Sequence, residues 1–375
     1  MDTKKNIFIK NKNWAIILVA QFLLFYILSK IDFVINFFSN LFEWKKKFHV
    51  QLFSGLGFSV GDVIYTIVLL FLIVSIINLI RKKNSLTLKR VLILINVTYF
   101  IYQCFWGMLY FQPLIIKKLS NKEVKINNSD LKNLTIKYLE LCKHTREKVS
   151  EDKNGVFRIN NIQNLEYEIL SQQKHLPGYL NEKKTLEILS VKSSLYDGFM
   201  NYTGILGYYN PFTAESQFNP HLPSTNIPFT LAHEMSHQLG YAKEQEASFI
   251  AYLCAKNSNN IDLQYSGQLY VLKSLLRALS KNINNKDFVL KSISQYSEKM
   301  QRDRKYELDF YEKNEGVISD FFGMTNDLFL KSNQQDGKIT YSYFINLLLI
   351  YETKKNRTRY DSKNTNDEKK FIAPE

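Results

Sequence analysis

The sequence predicts an α-helical membrane anchor of three spans followed by a mainly helical α+β domain. Three observations predict it. Long apolar runs crowd into the first third of the 375-residue chain. The composition turns polar and mixed after about residue 120. Within that polar part, a glycine-punctuated, β-like stretch sits between segments of helical period. The mean hydropathy of -0.21 hides this segregation, because it averages a lipid-like third with a water-like remainder.

A helix needs about 20 apolar residues to cross a bilayer. Three runs meet that length, at about 14–30, 61–80 and 91–112, the last staying apolar to about Ile115. No small-residue cleavage site follows the first, so it reads as an anchor and not a removable leader. The predicted organisation is a membrane anchor over 1–120, a domain over 121–353 and a polar, disordered tail over 354–375. Basic residues set the orientation. Lys4, Lys5, Lys10 and Lys12 precede the first run, and Arg81, Lys82, Lys83, Lys89 and Arg90 fill the turn between the second and third. Both groups belong on the cytoplasmic side. Residues 31–60 and the domain then fall on the extracytoplasmic side of a cytoplasmic (inner) membrane. Lys45, Lys46 and Lys47 run against that assignment, and their apolar neighbours predict a segment lying along the interface.

The formal net charge of +14 does not point to nucleic acid. The basic residues form no recognition helix or known nucleic-acid motif, and many flank apolar runs where they meet lipid head groups. The bilayer is the partner this distribution suits. Three cysteines make no disulfide framework. Cys104 lies in an apolar run, and Cys142 and Cys254 are either a pair or two buried thiols.

In the domain, residues 130–150 read as an amphipathic helix. The stretch 186–218 carries Gly198, Gly204, Gly207 and Asn210-Pro211 between short β-like runs. A helical stretch follows around 228–256, with Pro228 suited to its first turn and Ser224 or Thr225 to its cap. Residues 262–352 read as mainly helical, and no internal repeat is visible.

The chemistry gathers in LAHEMSHQLGYAKEQEASFIAY. On a helix, His233 and His237 leave the same face one turn apart, so two imidazole nitrogens can hold one Zn²⁺. Glu234 points to the side, where it reaches a water at that site and serves as general base. Thr230, Leu231, Ala232, Met235 and Ser236 are uncharged and offer no competing ligand. Only six histidines occur in the chain, and two fall at this spacing.

Catalytic zinc takes a third protein ligand and keeps an open position. Continuing the same helix cannot supply it, since Glu244 would lie about 10 Å beyond His237 along the axis. The chain must fold back, and Gly240 is the expected left-handed terminator. Beyond it Glu244 is the preferred third ligand and Glu246 the alternative. Whichever is not a ligand is an ordinary first-turn carboxylate.

HExxHxxG with a downstream glutamate resembles the zincin metallopeptidases, and Glu244 fits the ExxA arrangement of their glutamate-ligand members. The wider set of motifs resembles the membrane-attached family DUF3810. The matching pieces are FSVGDVIY (58–65), CFWGMLYFQPL (104–114), GYYNPFTAESQFN (207–219), the HEMSHQLGYAKEQEASF block and NDLFLKSN (326–333). The resemblance implies an N-terminal anchor and a zincin-like metallopeptidase domain acting on a protein or peptide, with no substrate established for the family. The metzincin branch has a third histidine three residues after the glycine; this chain has Lys243 there, so that specificity is not implied. Met324 matches a Met-turn residue only weakly and reads as core. Tyr208, Tyr209, His221 and Glu215 sit near the implied cleft and read first as structural. A zinc-binding scaffold or sensor without turnover is the alternative function. Retention of Glu234 speaks for the enzyme, because a structural site needs no general base. Intramembrane proteolysis is disfavoured by the polar run Gln238, Lys243, Glu244, Gln245 and Glu246.

Overall fold

In a computed structural model, residues 2–82, 85–119, 127–180, 183–332 and 343–353 are described. The tail over 354–375 lies outside the described residues. The three apolar runs form α1 (Asp2–Leu28), α3 (Val60–Lys82) and α4 (Ser85–Phe105), with α2 (Asp32–Phe53) between the first two. Spans of sufficient length and apolarity cover Asn11–Leu28, Val60–Arg81 and Ser85–Phe105, and only 11%, 6% and 6% of their residues are buried within the protein. Surfaces that apolar find their low-energy surroundings in lipid. Polar contacts tie the spans together, as expected where lipid competes for nothing: Asn11 Nδ2 donates to Ser85 Oγ (2.8 Å) and Gln21 Nε2 to Asn96 Oδ1 (3.1 Å).

Two readings of the anchor change. The third span stops at Phe105, short of the predicted end, and a 3₁₀ turn follows over Gly107–Phe111. Residues 106–110 are apolar because protein covers them: Trp106, Met108, Leu109 and Tyr110 are all buried. An apolar run buried in protein looks the same in sequence as one buried in lipid. The second change concerns α2. Lys45 and Lys46 do not face head groups but turn into the protein, 2% and 1% exposed. Lys45 Nζ donates to the carbonyl of Pro211 (2.6 Å), and Lys46 Nζ to Glu43 (2.9 Å) and the carbonyl of Leu239 (3.1 Å). The outward face of α2 is instead apolar, with Phe33, Phe37, Trp44, Phe48 and Leu52 exposed.

The domain begins with α5 (Ile115–Leu119), α6 (Asn128–Arg146) and α7 (Ile162–Lys174), then β1 (Val191–Ser193), α8 (Asp197–Thr203), β2 (Gly207–Asn210) and β3 (Glu215–Phe218). The helices α9 (Ile227–Leu239), α10 (Glu244–Asn257), α11 (Ile261–Ser280), α12 (Lys286–Ser294), α13 (Glu298–Asn314) and α14 (Val317–Ser332) complete it with a last helical segment over 343–353. The three strands form one small sheet in the order β1-β3-β2, with β1 parallel and β2 antiparallel to β3. The core is built from α6, α7, α9, α10, α11 and the last segment, where Leu139, Leu165, Leu231, Leu253, Leu272 and Leu348 are fully covered. Cys142 and Cys254 are buried free thiols within it, not a pair.

The sheet holds the start of the span α3. Helix N-termini leave four N–H groups without intrahelical acceptors. Here a carboxylate from the sheet serves them: Glu215 accepts from the backbone N–H of Val60 (3.2 Å) and Gly61 (2.8 Å) and from Thr213 Oγ1 (2.8 Å). One residue on, Asp62 accepts from the N–H of Leu195 (2.7 Å), from Ser194 Oγ (3.1 Å) and from the Tyr208 hydroxyl. Gly61 permits the approach, since a Cβ there would fall 2.1 Å from Asn210 Nδ2. All of these contacts lie at the bundle end where α1 finishes, α3 starts and α4 finishes. The end of α3 and the start of α4, with Arg81, Lys82, Lys89 and Arg90, lie at the other end.

Glu215 is fully buried, so truncating it orphans buried donors at about 1–3 kcal/mol. Glu215→Ala is expected to lower the thermal unfolding midpoint of the detergent-solubilised chain, and Glu215→Gln, which keeps an acceptor, to lower it less.

Candidate metal centre

Helix α9 runs through the middle of the domain, and of its residues only His233 is not fully buried. Pro228 stands in its first turn as the sequence suggests, but the cap position falls to Asn226, which makes no side-chain cap bond. Thr225 is drawn away, its hydroxyl bonding Glu307. The helix ends at Gly240, whose φ of 116° lies in the left-handed region. The N–H of Gly240 returns to the carbonyl of His237 (2.9 Å) and that of Tyr241 to the carbonyl of Ser236 (3.1 Å). A side chain on Gly240 would also meet Phe42 of α2 at 2.8 Å. After three intervening residues α10 begins at Glu244 and brings its first turn back over the histidines.

The reversal places three donors together. His233 Nε2 and His237 Nε2 are 3.1 Å apart, and Glu244 lies 3.1 Å from the first and 3.5 Å from the second. All three ligand atoms fall within 4.8 Å of one another. Both rings are held through their other nitrogen, which leaves Nε2 facing the centre. His237 Nδ1 donates to the carbonyl of Tyr241 (2.7 Å). His233 Nδ1 pairs with Ser248 Oγ (3.1 Å), to which the Tyr270 hydroxyl also donates (3.2 Å). The edge of Trp106 packs against the His237 ring at 5.9 Å.

The charges are strongly coupled. Burial opposes the charge on Glu244, but His237 and His233 outweigh it and hold the carboxyl well below the usual range. Burial likewise opposes a charged His237, yet Glu244 and Glu234 outweigh it and raise the ring to about 9. The cluster therefore favours a positive charge at its centre, which a divalent cation would supply in place of a proton. Glu234, next along the helix, moves the other way. Burial pushes its carboxyl up to about 7, with the neighbouring Glu244 adding to the rise. Gly207 of β2 runs directly past it, and a Cβ there would fall 2.8 Å from Glu234 Cγ.

Glu246 is not brought to the cluster. It is 4% exposed and its carboxylate accepts from the N–H of Ile115 (2.8 Å), the first residue of α5. The other candidates also take structural places. Glu215 and Tyr208 hold the start of α3, as described above. Tyr209 packs at a tilt against Trp106 (4.7 Å), and His221 is an exposed residue 3.3 Å from Asp197. Met324 is neither a turn beneath the site nor core: it is 56% exposed on α14.

A cleft of about 980 Å³ opens onto the three donors. One wall comes from the anchor, through Tyr65, Tyr102 and Trp106; another from Phe229 and Tyr270; a third from α14 through Phe322 and Gly323. The anchor wall was not recognised as part of the site from sequence. Its signal was the CFWGMLYFQPL stretch, whose aromatic density exceeds what a lipid-facing helix end requires.

A model for a family described as a protein of unknown function, DUF3810, matches residues 37–349. The chain belongs to the DUF3810 family. The match starts inside α2 and ends in the last helical segment, so the second and third spans and the domain form one DUF3810 unit. No curated protein and no solved structure matches the chain.

Glu246 gives this geometry its sharpest check. Glu246→Ala is expected to destabilise the protein by about 1–3 kcal/mol by orphaning the buried N–H of Ile115, with Glu246→Gln recovering part of the loss in thermal unfolding.

Proposed function

We propose that this DUF3810 member is a membrane-anchored, zinc-dependent metallopeptidase that hydrolyses a protein or peptide bond at the membrane surface. The observation that carries the reading is the convergence of His233, His237 and Glu244 on one point of an open cleft, with Glu234 buried alongside but outside the donor set. Two imidazole nitrogens and a carboxylate oxygen suit zinc, and three protein ligands in a cleft leave room for a reacting group. Zinc held there would supply Lewis acidity, lowering the pKa of a water and polarising a carbonyl.

The remaining work falls to this chain's own groups. Glu234 Oε accepts the proton of the attacking water as its oxygen bonds the carbonyl carbon. The same carboxyl then gives that proton to the departing amine nitrogen as the C–N bond breaks. Burial, which raises this carboxyl, favours its holding the proton between the two transfers. The second ring nitrogens, bonded to Tyr241 and Ser248, keep the histidines from rotating. Strand β2 is the outer strand of its sheet and passes Glu234, so an extended peptide could add to its free edge by backbone pairing.

Orientation follows from the basic residues. The domain packs at the end of the bundle away from Arg81, Lys89 and Arg90, which under the positive-inside rule supports an extracytoplasmic domain at the inner membrane.

The test uses the full chain in lipid nanodiscs. One zinc per chain is expected by elemental analysis for wild type and Glu234→Gln, with zinc lost or strongly weakened in Glu244→Ala and retained in Glu246→Gln. On a peptide library, Glu234→Gln is expected to reduce cleavage by about 10²–10⁴-fold. Full zinc occupancy with equal cleavage by wild type and Glu234→Gln would overturn the peptidase reading and leave a zinc-bound scaffold or sensor.

A further inference from the structure

Helix α14 has two different faces. Phe322, Gly323 and Asn326 line the cleft. On the opposite side Val317, Phe321, Met324 and Leu328 recur at four-, three- and four-residue intervals, a single stripe on a helix. They are 85%, 56%, 56% and 60% exposed. Such a stripe normally faces a core, and here no described residue covers it. Beside α14 stands α8, joined to it through Phe322 by the Phe199–Phe322 ring contact (5.9 Å), and Leu195, Phe199 and Tyr202 are further exposed apolar residues on and beside α8.

The place of this patch in the fold says what covers it. Leu195 is held by its N–H on Asp62, and the Tyr196 hydroxyl reaches the Asp62 carbonyl (2.7 Å) and Thr66 Oγ1 (2.7 Å). Thr66 lies in the second turn of the span α3, and the next residue, Ile67, is 62% exposed on the span's own lipid-facing surface. The Leu195–Tyr202 part of the patch therefore lies beside the first two turns of the membrane span. On α2, the exposed residues Phe33, Phe37, Trp44 and Phe48 form a similar outward stripe.

We propose that the outer face of α14, together with the Leu195–Tyr202 segment, is seated in the headgroup and upper acyl layer of the bilayer. The cleft is then bounded by membrane-contacting elements on both the anchor wall and the α14 wall, and its mouth lies at the lipid surface. Aromatic residues such as Phe199, Tyr202 and Phe321 suit that layer.

Single cysteines at Phe321, Met324 and Leu328, and at the exposed α13 residue Glu312 as an aqueous reference, can be spin-labelled in the full chain carrying Cys104→Ser; Cys142 and Cys254 are buried. In phosphatidylcholine nanodiscs the α14 labels are expected to gain collisions with oxygen and lose collisions with a water-soluble nickel complex, relative to the reference. Labels as open to nickel as the reference would overturn the proposal. So would labels shielded from both reagents and dipolar-coupled between chains, which would make a second copy the occupant. Hydroxyl-radical footprinting of the unmodified chain reads Phe321 and Met324 without substitution: shielding in nanodiscs is expected, and full oxidation would overturn the proposal. Neither measurement depends on catalysis, so the peptidase reading and this one can fail separately.

Discussion

The reversal of the chain at Gly240 is the constraint on which the rest depends. A straight helix would carry Glu244 about 10 Å past His237. The positive φ of Gly240 ends α9 at that point, and the three residues beyond it return α10 to the same face. The turn does more than redirect the chain. Its Tyr241 carbonyl accepts from His237 Nδ1, so the same backbone that brings in the carboxylate also fixes the tautomer of a histidine. Its preceding carbonyl, on Leu239, accepts from Lys46 of α2, and Phe42 packs where a side chain on Gly240 would stand. A larger residue there would have to displace α2.

That contact explains why the anchor and the domain are one unit. Desolvating a lysine is costly, and burial lowers the pKa of Lys45 to about 7. Both Lys45 and Lys46 are nevertheless buried against carbonyls of the domain, which fixes α2 to the loop after β2 and to the end of α9. Glu215 and Asp62 fix α3 to the sheet by the same kind of bond in the opposite sense, with carboxylates of the sheet and helix meeting backbone donors. Trp106 then reaches His237 from the end of α4. A boundary drawn at residue 120 separates the spans from the bulk of the domain, yet it cuts through the wall of the cleft.

How much of this was legible follows from the range of the interactions. The spans, the His233/His237 pair and the stop at Gly240 are local patterns, readable from period and residue type alone. The choice between Glu244 and Glu246 was not local. The two are separated by about 200° around α10, so one faces the histidines while the other faces α5, and only the angle at which α10 returns decides which. The roles of Lys45, Lys46 and Glu215 depended on partners 150 or more residues away, invisible to any window. Met324 failed for a different reason: an apolar residue on a helical stripe reads as core, and sequence does not distinguish a stripe covered by protein from one left open.

The two glutamates Glu234 and Glu244 show why position, and not residue type, sets chemistry. Both are carboxylates within one turn or one reversal of the same histidine. Glu244 lies against two imidazole Nε2 atoms, and their attraction overcomes burial and keeps it ionised. Glu234 is buried beside the backbone of β2, where desolvation dominates and Glu244's own charge adds to it. The ionised state of one therefore helps to raise the other. On the proposed reading a metal ligand stays charged while a general base must both take up and release a proton, and one glycine turn and one closely passing strand give the two carboxylates these different surroundings. Gly207 is as necessary to that division as Gly240, because any side chain on β2 at that point would collide with Glu234 and with the carbonyl of Gln217.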